Sequence, residues 1–175
     1  MDKFLTGVER VLLRSEIISS RTDDRGLITF VNPAFLKVTG YEKNEVVSFP
    51  HNIIRHPDVP RSVYRLMWDS IKDGRQFFAV TKNRCKNGDF YWTLGYFQPE
   101  LSSDGQTITG FRSTRQGVHD ESIKSAFSSL YGAVVQAERK LPRGEEQILA
   151  GIDLMERQLK RMGFSDYQDF ARSAF

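Results

Sequence analysis

The stretch FFAVTKNRCKNGDFYWTLGYFQPELSSDGQTITGFRSTR, residues 77–115, decides the fold of this chain. Apolar side chains recur in it with a period of two, in three runs that are typical of β-strands. The runs are Phe77–Arg84, Asp89–Pro99 and Gln106–Arg115. Asn87-Gly88 and Asp104-Gly105 separate them, and both dipeptides tolerate the positive φ that a tight hairpin turn requires. The stretch therefore predicts three consecutive antiparallel strands.

The residues before this stretch predict two further strands and then a group of helices. Glu16–Arg21 and Gly26–Val31 are short β-type runs, and the turn residues Asp23 and Asp24 lie between them. The predicted helical segments are 34–38, 42–47, 51–54 and a longer one at 60–72. Strands, helices and strands in this order predict an α+β fold, in which short helices lie on one face of an antiparallel sheet.

Both ends of the chain are predicted to be helical. Apolar residues of the segment 2–15 recur at helical spacing, which predicts an N-terminal amphipathic helix. Two heptad seams follow Gln116, and each is too short to be stable without a partner helix. The seams can pair as a hairpin within one chain or as a four-helix bundle in a homodimer. These patterns divide the chain into a cap at 1–15, a central domain at 16–116 and a helical extension at 117–175.

The composition limits the classes of protein to which the chain can belong. Its net charge is only +3, and we find no basic stripe or motif of a nucleic-acid-binding protein. A single cysteine, Cys85, excludes an intrachain disulfide and fits a reducing cytosol. We find neither a signal peptide nor a long apolar run, so the sequence predicts a cytoplasmic protein without a transmembrane segment.

A cluster of polar side chains, residues 50–60, carries the chemistry. The cluster contains His51, Asn52, Arg55, His56 and Asp58, and Asn32 and Asn83 lie in segments that the fold would bring near it. Arginine suits phosphate, and asparagine side chains can match the edge of a heterocycle because each both donates and accepts. Aromatic residues such as Trp68 and Trp92 could enclose a flat ring. The inventory fits a phosphate-bearing aromatic ligand.

Each of these residues also has a purely structural interpretation. Asn32 and Asp58 can cap helices, and Trp68 and Trp92 can be core residues. Catalytic alternatives have less support, because the histidines lack the spacing of zinc enzymes and Cys85 has no histidine near it in sequence. We find no glycine-rich phosphate loop and no nucleophile elbow. The sequence therefore predicts a binding protein and not an enzyme.

Residues 23–115 resemble the PAS domains of bacterial aerotaxis receptors. The resemblance rests on Val31-Asn32-Pro33-Ala34-Phe35, Pro50-His51-Asn52, Arg55-His56-Pro57-Asp58-Val59-Pro60, Met67-Trp68, Lys82-Asn83-Arg84, Lys86-Asn87-Gly88-Asp89 and Tyr91-Trp92. It covers somewhat more than half of the chain. The chain departs from the usual family residues at Phe77, Ala79, Cys85 and Phe90.

This resemblance implies a PAS fold, a five-stranded antiparallel sheet whose short helices enclose a ligand cleft. It also implies non-covalent binding of FAD, redox sensing and a role in aerotaxis or related signalling. By the same resemblance, the FAD-binding residues are Asn32, His51, Asn52, Arg55, His56, Asp58, Trp68, Asn83 and Trp92. A homodimer and an unidentified signalling protein are the expected partners. Two alternatives stay open: a haem or small-ligand sensor with His51 or His56 as ligand, and a cofactor-free PAS module for docking.

Overall fold

The computed structural model describes residues 4–175, which form a five-stranded sheet and six α-helices. The elements are β1 (Ile17–Asp23), β2 (Ile28–Val31), α1 (Pro33–Thr39), α2 (Lys43–Val46), a 3₁₀ turn (His51–Ile54), α3 (Arg61–Lys72), β3 (Phe77–Arg84), β4 (Phe90–Leu101), β5 (Ile108–Gly117), α4 (Glu121–Arg139), α5 (Glu145–Arg161) and α6 (Tyr167–Arg172). The predicted α+β architecture is confirmed. Within residues 4–175, none of the helices is both long enough and apolar enough to cross a membrane.

The sheet has the strand order β2-β1-β5-β4-β3, and all neighbouring strands are antiparallel. The first strand, β1, and the last strand, β5, pair near the centre of the sheet, where Ser20 lies opposite Ser113. Residues directly opposite each other on paired strands point to the same face of the sheet, and the Oγ atoms of Ser20 and Ser113 are 2.8 Å apart. Gly110 is required in this ladder, because a Cβ there would lie 2.1 Å from the carbonyl oxygen of Thr22.

The helix α3 lies across the inner face of the sheet. Its residues Val63, Met67 and Ile71 recur at helical spacing and are buried in the main core. The shorter helix α1 packs near β1, and the Asn32 side chain caps it by accepting a hydrogen bond from the backbone N–H of Phe35 at 3.1 Å. The helix α3, the 3₁₀ turn and the inner face of the sheet enclose the site described below.

The helical extension folds back within the chain. Helices α4 and α5 pack on each other, and their seam residues Phe127, Leu130, Val134, Met155 and Leu159 are buried in the main core. Of the two predicted arrangements, the structure shows the intrachain hairpin. The same core includes residues of α3, β3 and β4, so the extension is continuous with the sheet domain.

The extension also covers the free edge of the sheet. Strand β3 is an edge strand, and the Gln168 side chain accepts from the backbone N–H of Phe78 and donates to its carbonyl oxygen, both at 2.9 Å. The Tyr131 hydroxyl donates to the Val80 carbonyl oxygen at 2.5 Å. These bonds satisfy backbone groups that another strand would otherwise pair with.

The predicted N-terminal amphipathic helix is wrong in the described part of the segment, since residues 4–15 form no helix. Gly7 has a φ of +75°, which interrupts a helix. The segment instead runs beside the start of β4, and the Arg10 N–H donates to the Phe90 carbonyl oxygen at 2.7 Å. Its Thr6 and Arg10 side chains both bond Asp89. Long-range pairing thus prevails over the helical spacing of the apolar residues, and residues 1–3 lie outside the described residues.

Candidate functional site

A cavity of about 420 Å³ lies between the inner face of the sheet, α3 and the 3₁₀ turn. Its volume falls in the range of ordinary small-molecule sites. The apolar and aromatic lining residues are Ile54, Tyr64, Met67, Trp68, Ile71, Phe97, Phe111 and Ile148. The polar lining residues include Ser20, Thr22, His51, Asn52, Thr81, Asn83 and Ser113, together with six arginines. Such a lining suits a largely flat, apolar ligand that also carries hydrogen-bonding and negatively charged groups.

Arg115 dominates one wall of the cavity. Only 2% of this residue is exposed, yet its guanidinium forms no ion pair with any carboxylate in residues 4–175. Its Nη2 donates to Ser20 Oγ at 2.7 Å and lies 2.9 Å from His51 Nε2, and its Nε donates to Ser113 Oγ at 3.2 Å. A buried cation without an anion is costly, because neutral partners replace only part of its lost hydration. The wall is therefore prepared for negative charge.

His51 is held neutral beside this cation. Burial lowers the pKa of His51 to about 3, and repulsion from Arg115 adds to the shift. Arg115 can only donate, so Nε2 of His51 is the acceptor in their contact and the ring proton lies on Nδ1. The lone pair of Nε2 is thereby already in use.

A second polar group lies on β3 and β4. Asn83 donates through Nδ2 to Thr93 Oγ1 at 3.0 Å and to Thr81 Oγ1 at 3.2 Å. Its Oδ1 accepts no hydrogen bond from the part of the chain that the structure describes. The buried Oγ1 of Thr22, across the cavity, also has no partner within residues 4–175. Both residues line the cavity, and a buried polar atom without a partner is a candidate for bonding a polar edge of a ligand.

The six arginines of the lining fall into two groups. Arg25, Arg65 and Arg112 each pair with a carboxylate: Asp23, Asp69 with Glu145, and Glu100, respectively. Arg55, Arg61 and Arg115 form no ion pair with any carboxylate in the described residues. Arg55 instead stacks on the Tyr64 ring, with Cζ 4.0 Å from the ring centroid. Three cationic side chains of the lining therefore lack an ion pair, and the buried Glu138 carboxylate attracts Arg55 without pairing with it.

The structure brings five of the nine predicted site residues together in the cavity lining. They are His51, Asn52, Arg55, Trp68 and Asn83. The sequence signals for these residues were the polar cluster after the short helices and the asparagine on β3.

The other four predicted residues lie outside the lining. Asn32 caps α1 and bonds the backbone of β1. His56 is buried and accepts from the Asp58 N–H at 3.2 Å, while the Asp58 carboxylate pairs with Lys82 at 2.7 Å. Trp92 packs in the core shared with the helical extension, because it alternates with Thr93 and so points to the opposite face.

Residues that sequence reasoning missed are concentrated on β1 and β5. Ser20, Thr22, Ser113 and Arg115 all line the cavity. The available signal was the two-residue spacing of polar side chains on central strands, which places them on one buried face. Reading that signal requires the pairing of β1 with β5, which no local pattern reveals.

With the geometry described, the chain can be compared with known proteins. Residues 28–112 match the family described as PAS fold. Over 131 residues the chain is 36% identical to the aerotaxis receptor of Escherichia coli, which covers 75% of this chain and 25% of that protein. It is 27% identical over 103 residues to the nitrogen fixation regulatory protein of Klebsiella pneumoniae, covering 59% of this chain and 20% of that protein. The chain thus spans a quarter or less of the length of these two relatives.

Solved structures agree on the fold. A light-oxygen-voltage domain studied with a flavin analogue superposes with a TM-score of 0.58 at 16% identity, covering 66% of this chain and 87% of that chain. At this identity the likeness concerns the fold alone. Together, the family match, the strand order and the aerotaxis-receptor motifs identify the segment: this chain contains a PAS domain of the bacterial aerotaxis-receptor type.

Proposed function

We propose that this protein is a cytoplasmic sensor that binds FAD non-covalently in the cavity and signals redox or oxygen-linked energy state, as in aerotaxis. It is proposed to act by binding and not as an enzyme. A homodimer and a separate signalling protein belong to the same proposal. The similarity to the aerotaxis receptor and the fold shared with light-oxygen-voltage domains support a flavin as the ligand.

The observation that carries this proposal is the buried Arg115 without an anionic partner among the described residues. Burial of a cation without an anion in a cavity wall costs stability. A ligand that carries or gains negative charge compensates this cost. A flavin supplies reversible electron transfer and, on reduction, an increase in negative charge on its ring system.

The remaining polar atoms of the cavity fit the same ligand. Asn83 Oδ1 and Thr22 Oγ1 have no partner in the described residues, so both are candidates for bonding a polar heterocycle edge. Met67 and Phe111 provide apolar surface for a flat ring. The residues present therefore fit a flavin, with Arg115 holding the charged part of the ring and Asn83 and Thr22 fixing its orientation.

A signal would reach the helical extension through α3. This helix lines the cavity through Tyr64, Met67 and Trp68, and it packs against α5. A change in charge beside Arg115 would favour a different packing of α3, and the extension would shift with it. The free energy by which the ligand shifts this equilibrium cannot exceed the difference between its binding free energies for the two packings.

The experiment is a flavin titration of Arg115→Gln against the unaltered protein. Loss of the charge-assisted hydrogen bonds should weaken FAD binding by about 1.5–3 kcal/mol, or roughly ten- to over a hundredfold. The melting temperature of the flavin-free variant should not fall, because the variant no longer buries an unpaired cation.

The matched control is Arg112→Gln, because Arg112 also lines the cavity but pairs with Glu100. Its FAD affinity should stay close to that of the unaltered protein. Full retention of FAD by Arg115→Gln, or equal losses in both variants, would refute the role of Arg115.

A further inference from the structure

We propose that the start of α5 completes the ligand site, and that Arg61, oriented by Gln147, recognises the phosphate groups of the bound nucleotide. This inference rests on the proposed flavin function and adds to it the helical extension as part of the binding site. Neither Arg61 nor any residue of α5 belongs to the site that the sequence predicts.

The geometry at this junction is specific. Ile148 of α5 and Arg61 of α3 both line the cavity. Arg61 Nη1 donates to Gln147 Oε1 at 3.0 Å, and Gln147 Nε2 donates to the Glu138 carbonyl oxygen at 2.8 Å. Gln147 is 9% exposed, so its side chain is fixed by packing as well as by these bonds. The extension therefore sets the position of a cationic group in the cavity lining.

The partner of Arg61 holds the guanidinium without neutralising it. Gln147 offers an amide oxygen, whereas the neighbouring Arg65 binds the carboxylates of Asp69 and Glu145 at 2.7 and 2.8 Å. Arg61 and Arg65 lie one helical turn apart, and only the charge of Arg65 is neutralised by carboxylates in contact with its side chain. The Arg61 guanidinium has no ion pair among the described residues, although the Glu138 carboxylate accepts from the Arg61 backbone N–H at 3.0 Å, so the guanidinium can still bind an anion.

Arg55 supplies a second cation for the same anion. Both guanidinium groups line the cavity. Burial is the main reason that the pKa of Arg55 is lowered; the charge of Arg61 lowers it further, while Tyr64 and the Glu138 carboxylate act in the opposite direction. Two like charges that repel each other are stabilised when an anion binds both of them. Their planar guanidinium groups can each bind a phosphate through two hydrogen bonds. The pair fits a phosphate ester or diphosphate better than a carboxylate, because it offers more donors than one carboxylate can accept.

The arrangement couples the ligand to the position of the extension. A nucleotide that draws Arg61 into place also favours the packing that presents Gln147 and Ile148. By thermodynamic reciprocity, the packing of α5 then strengthens nucleotide binding by the same factor. A flavin without phosphate groups lacks this coupling.

The test compares riboflavin, FMN and FAD binding to the full chain and its variants. Arg61→Gln should weaken FMN and FAD binding by roughly ten- to a hundredfold and leave riboflavin binding unchanged. Gln147→Glu should give the same selective loss, because a carboxylate would neutralise Arg61 in place. The control, Arg65→Gln, should preserve the preference for phosphorylated flavins.

A second readout follows the extension itself. Amide hydrogen exchange in residues 145–151 should slow when FAD is added to the unaltered protein, but not when riboflavin is added or when Arg61 is Gln. Equal weakening of all three flavins in Arg61→Gln, or no weakening of any, would overturn the proposal. Failure of the unaltered protein to bind riboflavin, FMN and FAD would instead refute the flavin function on which it rests.

Discussion

The residues that define the cavity are polar groups on the buried face of central strands. Ser20, Ser113 and Arg115 lie where a sheet of this kind normally carries apolar side chains, and their hydrogen bonds to one another partly offset the cost of burial. Asn83 is held in the same way by Thr81 and Thr93. Stability is lower than a fully apolar face would give, and the gain is a site with fixed donors and acceptors.

Because the pKa values of two histidines are lowered in the folded protein, we predict that the protein loses stability on mild acidification. Burial lowers the pKa of His51 to about 3 and that of His56 to about 4. In the unfolded chain both return to about 6.5, so below that pH the unfolded state takes up protons that the folded state does not. The free energy of unfolding should fall by about 2 kcal/mol per histidine between pH 7 and pH 5.

Urea denaturation at the two pH values measures this loss. His51→Gln and His56→Gln should each remove about half of it, because each deletes one of the two groups. A free energy of unfolding that is the same at pH 7 and pH 5 in the flavin-free protein would contradict the assignment of neutral histidines.

From the position of Cys85, the only cysteine of the chain, we predict that light forms no thiol adduct with a bound flavin. Cys85 is fully buried, lies outside the cavity lining and donates from Sγ to the Val38 carbonyl oxygen at 3.2 Å. Burial also raises the pKa of its thiol to about 11, so little thiolate is present at neutral pH. Blue light should leave the main visible band of the flavin without a slow, reversible loss, and Cys85→Ala should behave identically. A light-induced loss that recovers in the dark and is absent in Cys85→Ala would count against this.

At the scale of elements, the central feature is the contact between α3 and the helical hairpin. Pro60 precedes α3 and provides no side-chain cap for it. The buried Glu138 carboxylate of α4 takes this role, because it accepts from the N–H groups of Arg61 and Ser62 at 3.0 and 2.8 Å. Gly151 of α5 makes room for it, since a Cβ there would lie 2.8 Å from Glu138 Oε1. One carboxylate therefore joins three helices.

Removing this cap should destabilise the protein. Glu138→Ala leaves two buried N–H groups of α3 without a partner, and we expect the free energy of unfolding to fall by about 2–3 kcal/mol. The control Glu156→Ala changes an exposed residue of α5 and should stay within about 0.5 kcal/mol. Chemical denaturation of the three proteins measures both values. Equal stability of Glu138→Ala and the control would show that the cap contributes nothing.

Local patterns predicted most of these elements but not their long-range partners. The strands and α3 follow from period and turn residues, because such signals lie within a few residues of one another. The N-terminal segment has the apolar spacing of a helix, yet its Arg10 and Thr6 bond Asp89, which is distant in sequence. The role of Glu138 at α3 is equally non-local. Contacts of this kind are set by the tertiary fold and leave no local signature.

At the scale of the whole molecule, one core joins the sheet, α3 and the helical extension. Three predicted residues of the polar cluster at residues 50–60, His51, Asn52 and Arg55, line the cavity, and so do Trp68 and Asn83. Whether a strand residue belongs to the site depends on which face of the sheet its side chain occupies. Trp92 points away from the cavity, and Arg115 points into it. That choice depends on how β5 pairs with β1 and β4, which only the assembled sheet determines.

The measurement that most directly tests the central claim is the absorption spectrum of the purified 175-residue chain, combined with identification of any ligand released on denaturation. We predict the spectrum of an oxidised flavin, released intact as FAD in an amount approaching one per chain. The flavin should be depleted in Arg115→Gln and retained in Arg112→Gln. A haem spectrum, or a colourless protein that binds no FAD when FAD is added, would contradict the account.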